Sequence, residues 1–200
     1  MFAFIHNRLQ LISRAAVWAG GAALMLSAIM VTVDVLMRKV FSITMSGSDE
    51  ITGYVFAVST TWAYSYCLLH RANVRIDAIY NLLPALARAL LDILGLGLLL
   101  WYMLVLTDQA ITVFHTSWIY DSVAITTLAT PLWIPQLLWV AGLIMFVFTL
   151  LFVILYAVTS LLRRDLATVR KVAGTLSVEE EIEEETLGME AAGGDRDKEA

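Results

Sequence analysis

The chain has 200 residues, 60% of them hydrophobic, a mean hydropathy of +0.77 and a formal net charge of −5. Such apolarity exceeds what a soluble domain of this size carries, so the class is an integral membrane protein. Ten of the 18 acidic residues lie at or beyond Glu179, so the negative charge belongs to a tail, and the clustered basic face that nucleic acid requires is absent.

The lead, residues 1–14, carries Arg8 and Arg14 and is followed by an uncharged run from Ala15 to Val33. A secretory signal has the same order, but its apolar core is only about 7–15 residues long and ends at a cleavage site. Here nineteen residues meet Asp34, Arg38 and Lys39 instead, so a retained first span over about 15–37 is expected. Asp34 and Arg38 stand four apart in the favourable acid-to-base order for a helical pair, which makes Asp34 a structural end-of-span residue before an ion-coupling one.

Gly47-Ser48-Asp49-Glu50 reads as a helix start, with Ser48 as cap and two acids in the first turn, where the positive end of the helix dipole favours them. Ile51 to Leu69 then runs nineteen residues without a charge. At about 1.5 Å per residue such a helix nearly covers the roughly 30 Å hydrocarbon layer. Gly53, Ala57, Thr61 and Ser65 recur every four residues and form a small-residue face, and Ala15, Ala19, Ala23 and Ser27 do the same on the first span. Close backbone approach along such faces is how spans associate in lipid. The two faces could pack on each other, or either could take an external helix.

After His70 and Arg71 comes a short basic, amphipathic connection containing Arg75 and Asp77, too charged to span. Pro84 suits the first turn of a third helix, whose span covers about 86–113. From Ser122 to Leu162 no residue is charged, and Pro131 and Pro135 divide this stretch into a threonine-rich surface connection and a fourth span over about 136–156. Residues 15–172 thus form one four-helix membrane domain, and 173–200 an acidic tail. Six glutamates between Glu179 and Glu185 repel one another there without lysine partners, so disorder is expected.

Orientation follows from the basic residues. Arg8, Arg14, Arg71, Arg75, Arg88, Arg163, Arg164, Arg170 and Lys171 fall on one side of four spans, and only Arg38 and Lys39 on the other. The positive-inside rule puts both termini in the cytoplasm, with Trp118, Tyr120 and Trp133 as an outer aromatic belt.

Little here carries chemistry. His70 and His115 end different spans on opposite sides and His6 precedes the first, so paired imidazoles for haem are not expected, and Cys67, the single cysteine, can form neither an intramolecular disulfide nor a multi-thiolate metal site. Trp62 and Trp101 lie at span centres, where helix packing is the first reading and substrate lining the second. Nothing resembles a nucleophile with a base, a phosphate loop or a carboxylate pair, so no enzyme, cofactor or metal is expected.

From about Asp34 to Gly142 the pattern resembles the small membrane subunit of tripartite ATP-independent periplasmic (TRAP) transporters, the DctQ-like family. The carriers are Asp34-Val35-Leu36-Met37-Arg38, Gly47-Ser48-Asp49-Glu50, Val74-Arg75-Ile76-Asp77 with Pro84, then Ser122, Thr130-Pro131-Leu132-Trp133-Ile134-Pro135-Gln136 and Gly142. One departure is Asn73, where a histidine commonly precedes the Val-Arg-Ile-Asp element. The resemblance implies a four-helix scaffold in a bacterial or archaeal inner membrane, paired with a large DctM-like permease that holds the substrate and sodium sites. A DctP-like periplasmic binding protein would deliver an organic acid. Rival readings are a self-contained four-helix channel or carrier, a membrane redox or haem protein, and a non-transport assembly or sensor protein.

Overall fold

The structure is a computed structural model and describes residues 2–71 and 83–163, with the isolated positions 168 and 186. The amphipathic connection with Arg75 and Asp77 and nearly all of the acidic tail lie outside the described residues. Four helices make up the fold: α1 (Phe2–Phe41), α2 (Ser48–Leu69), α3 (Ala85–Ile119) and α4 (Trp133–Leu162). No strand is formed among the described residues, only an isolated antiparallel bridge between Val123 and Pro131 in the α3–α4 loop.

Three helices are long and apolar enough to cross a membrane: His6–Phe41, Leu86–Ile119 and Trp133–Leu162. α2 is not among them. Thr52, Gly53, Ser59, Thr60, Thr61 and Ser65 lower its apolarity, and the packing shows where those residues go. The principal contacts run α1 on α2, α2 on α4 and α4 on α3, so the helices form a row with α2 and α4 inside it. Helices in lipid gain from close backbone contact rather than from burying oil, so the inner position suits the helix with the smallest side chains.

The packed core follows α4. Val140, Leu143, Phe146, Leu150 and Val153 meet Leu96, Met103 and Ala110 of α3, and Leu150 and Ala157 have no exposed surface. Beyond this seam α1 and α3 leave large apolar faces open. Trp18 is 74% exposed and Trp101 68%. At about 1.5 Å per residue, the 40 residues of α1 reach roughly 60 Å, twice the hydrocarbon thickness.

Helix starts are set locally. Pro84 (φ −63°) precedes α3 in extended backbone, where its missing N–H costs nothing. α4 begins at Trp133, so Pro135 lies inside the first turn, not ahead of the helix; only orphan N–H groups stand there, and a proline is tolerated. α2 differs from the sequence expectation. Gly47, at φ +94°, is its N-cap, and Ser48 makes no cap bond. With Gly47 in the cap position, Ser48 is the first helical residue, and its hydroxyl donates to the Asp34 carboxylate at 3.2 Å, a charge-assisted bond.

Candidate functional site

Two polar clusters and one groove stand out, all at or near the end of the row that carries the α1–α2 and α3–α4 loops. The first cluster is built on Asp34, which is 1% exposed although it sits on an apolar helix. Arg38 pairs with it at 2.5 Å, as the four-residue spacing predicts. The backbone N–H of Met45 donates to the same carboxylate at 2.5 Å and the Ser48 hydroxyl at 3.2 Å. One buried acid therefore ties the end of α1, the following loop and the start of α2 together. Such a group is tolerable in an apolar setting only when its oxygens are satisfied in this way.

The second cluster is built on Glu50, one residue ahead of the uncharged run of α2. Its carboxylate accepts the Tyr54 hydroxyl at 2.8 Å and the hydroxyl of Thr126, from the α3–α4 loop. The Thr126 bond, with weaker help from Tyr54 and Thr130, holds the Glu50 carboxyl below the usual carboxylate range, against the opposing effect of desolvation. Ser46 hydrogen-bonds Thr127 beside it. Gly47 completes the join: a Cβ there would lie 2.1 Å from the Leu128 side chain and push it aside, and the φ of +94° favours glycine. Within the α3–α4 loop, the Ala124 N–H donates to Thr130 and the Leu132 N–H to Ser122, both at 3.0 Å. The two loops are thus one hydrogen-bonded unit. Trp118 meets Trp133 edge-on at 5.0 Å beneath it, and Pro131 takes part in the bridge to Val123.

The small-residue faces divide differently from the sequence expectation. Thr61 and Ser65 point at α4, where a Cβ on Gly142 would lie 2.6 Å from the Thr61 hydroxyl and 2.8 Å from Trp62. The Thr149 hydroxyl lies 3.4 Å from that of Ser65. Ala57 is half-buried, and its carbonyl accepts the hydroxyls of Thr60 and Thr61. Gly53 is exposed, with nothing near its missing Cβ, and takes no part in a helix contact. α1 meets α2 along another line, Ser13, Gly20, Ser27 and Asp34, seven residues apart. The Ser59 hydroxyl donates to the Gly20 carbonyl at 3.2 Å at its middle. A seven-residue period keeps one face of a gently coiled helix on its neighbour, and this spacing was the available signal for the contact.

Trp62 and Trp101 part company. Trp62 lies at the α2–α4 seam, its indole N–H donating to the Leu138 carbonyl at 3.0 Å. Trp101 stands on the open face of α3, so packing within the chain does not account for it. The Ala15–Ala19–Ala23 face of α1 also stays open. It forms one wall of a groove of about 770 Å³, with Val58 and Trp62 on the floor and Pro135 and Leu138 opposite.

The family of the DctQ component of tripartite ATP-independent periplasmic transporters matches residues 27–164, more than half of the chain. The chain belongs to the DctQ family. No curated protein and no solved structure matches it. The match spans both polar clusters, from before Asp34 to past the end of α4, and leaves out residues 2–26 of α1 and the acidic tail. Membership makes the chain the small component of a TRAP transporter, a membrane transport protein. Asp34 and Glu50 stand where loops are joined.

Proposed function

We propose that this chain is the small scaffold subunit of an ion-gradient-driven transporter, crossing the inner membrane four times with both termini in the cytoplasm. It pairs with a large permease subunit that carries the substrate and ion sites, and a periplasmic binding protein supplies an organic acid. The observation that carries this reading is how the buried polar groups are used. Among the described residues, Asp34 is closed by Arg38, Met45 and Ser48, and Ser13, Ser27, Thr107 and Thr149 bond carbonyls of their own helices. These groups hold helices and loops in place and line no path through the row. α2, the least apolar helix, owes its place in the membrane to α1 and α4 on either side.

The open faces suit a scaffold. The stripe of α3 through Leu94, Leu98 and Trp101 is the surface we assign to the large subunit, since Trp62 is already engaged by α4. The loop unit on Asp34 and Glu50 faces the periplasm in this orientation, and Arg75 and Asp77 belong to the cytoplasmic connection. Co-purification with the permease encoded beside it tests the assignment. A stable complex is expected, weakened by Trp101→Ala; a monodisperse chain indifferent to that permease would refute it.

A further inference from the structure

The groove between α1, α2 and α4 has in its lining Tyr54, whose hydroxyl is bonded to the Glu50 carboxylate. Its walls are apolar, and the polar atoms that border it are occupied: the Ser59 hydroxyl by the Gly20 carbonyl, the Trp62 indole N–H by the Leu138 carbonyl, the Tyr54 hydroxyl by Glu50. A ligand lying there gains nothing from hydrogen bonding along its length, which is the requirement of a hydrocarbon chain. Its volume falls within the roughly 300–1,000 Å³ of ordinary ligand sites. At one end, however, a lining residue, Tyr54, donates its hydroxyl to the half-buried carboxylate of Glu50 at 2.8 Å. An ionised carboxylate offers about four acceptor positions. The Tyr54 and Thr126 hydroxyls use two, and no basic side chain pairs with Glu50 among the described residues.

We propose that this groove is a binding site for a phospholipid with a primary-ammonium headgroup, its acyl chain along Ala19, Ala23 and Val58 and its ammonium on Glu50. The charge sets the selectivity. A compact –NH₃⁺ can donate to a remaining acceptor position while neutralising the carboxylate, a charge-assisted bond of the stronger kind. A phosphatidylglycerol brings only negative charge to the same place, and a trimethylated choline head brings charge without a donor. The lipid belongs to the leaflet at the Glu50 end, and by filling the space between α1 and α4 it supplies the third wall that the row of helices lacks.

The inference rests on the membrane setting of the reading above but not on the large subunit, so failure of co-purification leaves it standing. The test uses the full-length chain, delipidated in detergent and titrated with dioleoyl-phosphatidylethanolamine, -phosphatidylcholine or -phosphatidylglycerol, bound lipid being counted by native mass spectrometry. The ethanolamine lipid is expected to bind about tenfold more tightly than the glycerol lipid, the size of one charge-assisted bond, with the choline lipid between them. Ala19→Trp, which fills the groove, abolishes this binding, and Glu50→Gln brings all three lipids to one level. Equal binding of the three by the unsubstituted chain overturns the proposal without reference to any variant. Ethanolamine-lipid binding that survives Ala19→Trp overturns it as well.

Discussion

Two stripes of small residues, Gly53–Ala57–Thr61–Ser65 on α2 and Ala15–Ala19–Ala23–Ser27 on α1, look alike in sequence and end up in opposite situations. The lower half of the α2 stripe is pressed against α4, where Gly142 admits Thr61 and Trp62 and Thr149 meets Ser65. The α1 stripe is open over Ala15 and Ala19, and only Ser27 at its end is buried. A small-residue stripe states that a backbone can be approached closely; it does not say which element approaches. That is decided by what the neighbour presents, and α4 presents a glycine at the matching height.

The largest break in this comparison comes from Gly142→Leu. The first atom added would lie 2.6 Å from the Thr61 hydroxyl, and relief requires moving α4 off α2, so a loss of about 3 kcal/mol is expected in reversible unfolding from detergent micelles. Trp62→Phe keeps most of the seam's volume and removes the indole bond to Leu138, which corresponds to about 1 kcal/mol. Gly20→Ala tests the α1–α2 contact: its Cβ would stand 3.1 Å from that of Ser59, a mismatch a small shift absorbs, and the loss stays below about 1 kcal/mol. Gly53→Ala is the control. Nothing lies within 4 Å of the new Cβ, and the helix gains from lower unfolded-state entropy, so the variant is neutral or about 0.5 kcal/mol more stable.

A change of pH sharpens the contrast between the helical seams and the loop unit. The Glu50 carboxyl is held below its ordinary range by Thr126 first, so its share of stability is fully present above the unfolded-state value and is lost as pH falls through the lowered folded-state value. Hydrogen exchange should therefore speed up on acidification at Ala124 and Leu132, whose N–H groups close the α3–α4 loop, while amides in the middle of α4 keep their protection. Glu50→Gln should show the fast loop exchange already at neutral pH.

Much of this architecture was legible from residue order. Four apolar segments separated by charges gave the helices, the spacing of Asp34 and Arg38 gave their ion pair, and the sequence from Asp34 to Gly142 gave the family. What was hidden depended on contacts between distant segments. Ser48 reads as a cap because a serine before two acids usually is one, and only the fold brings the Asp34 carboxylate within reach. Thr126 and Leu128 carry no local sign that they will meet Glu50 and Gly47, more than 70 positions earlier. Trp101 reads as packing because a tryptophan at mid-helix is usually covered within its own chain; its exposure reflects a row of helices in place of a closed bundle. The line Ser13–Gly20–Ser27–Asp34 was visible as a seven-residue period, masked by the neighbouring alanines at four-residue spacing.

The central claim, that these helices brace a larger permease and move nothing themselves, is tested most directly by solute uptake into sealed vesicles under an imposed sodium gradient. Vesicles holding this chain alone should show no more flux of an organic acid than empty ones, with uptake appearing when the large subunit and the loaded binding protein are added. Gradient-dependent uptake by the chain alone would contradict the account.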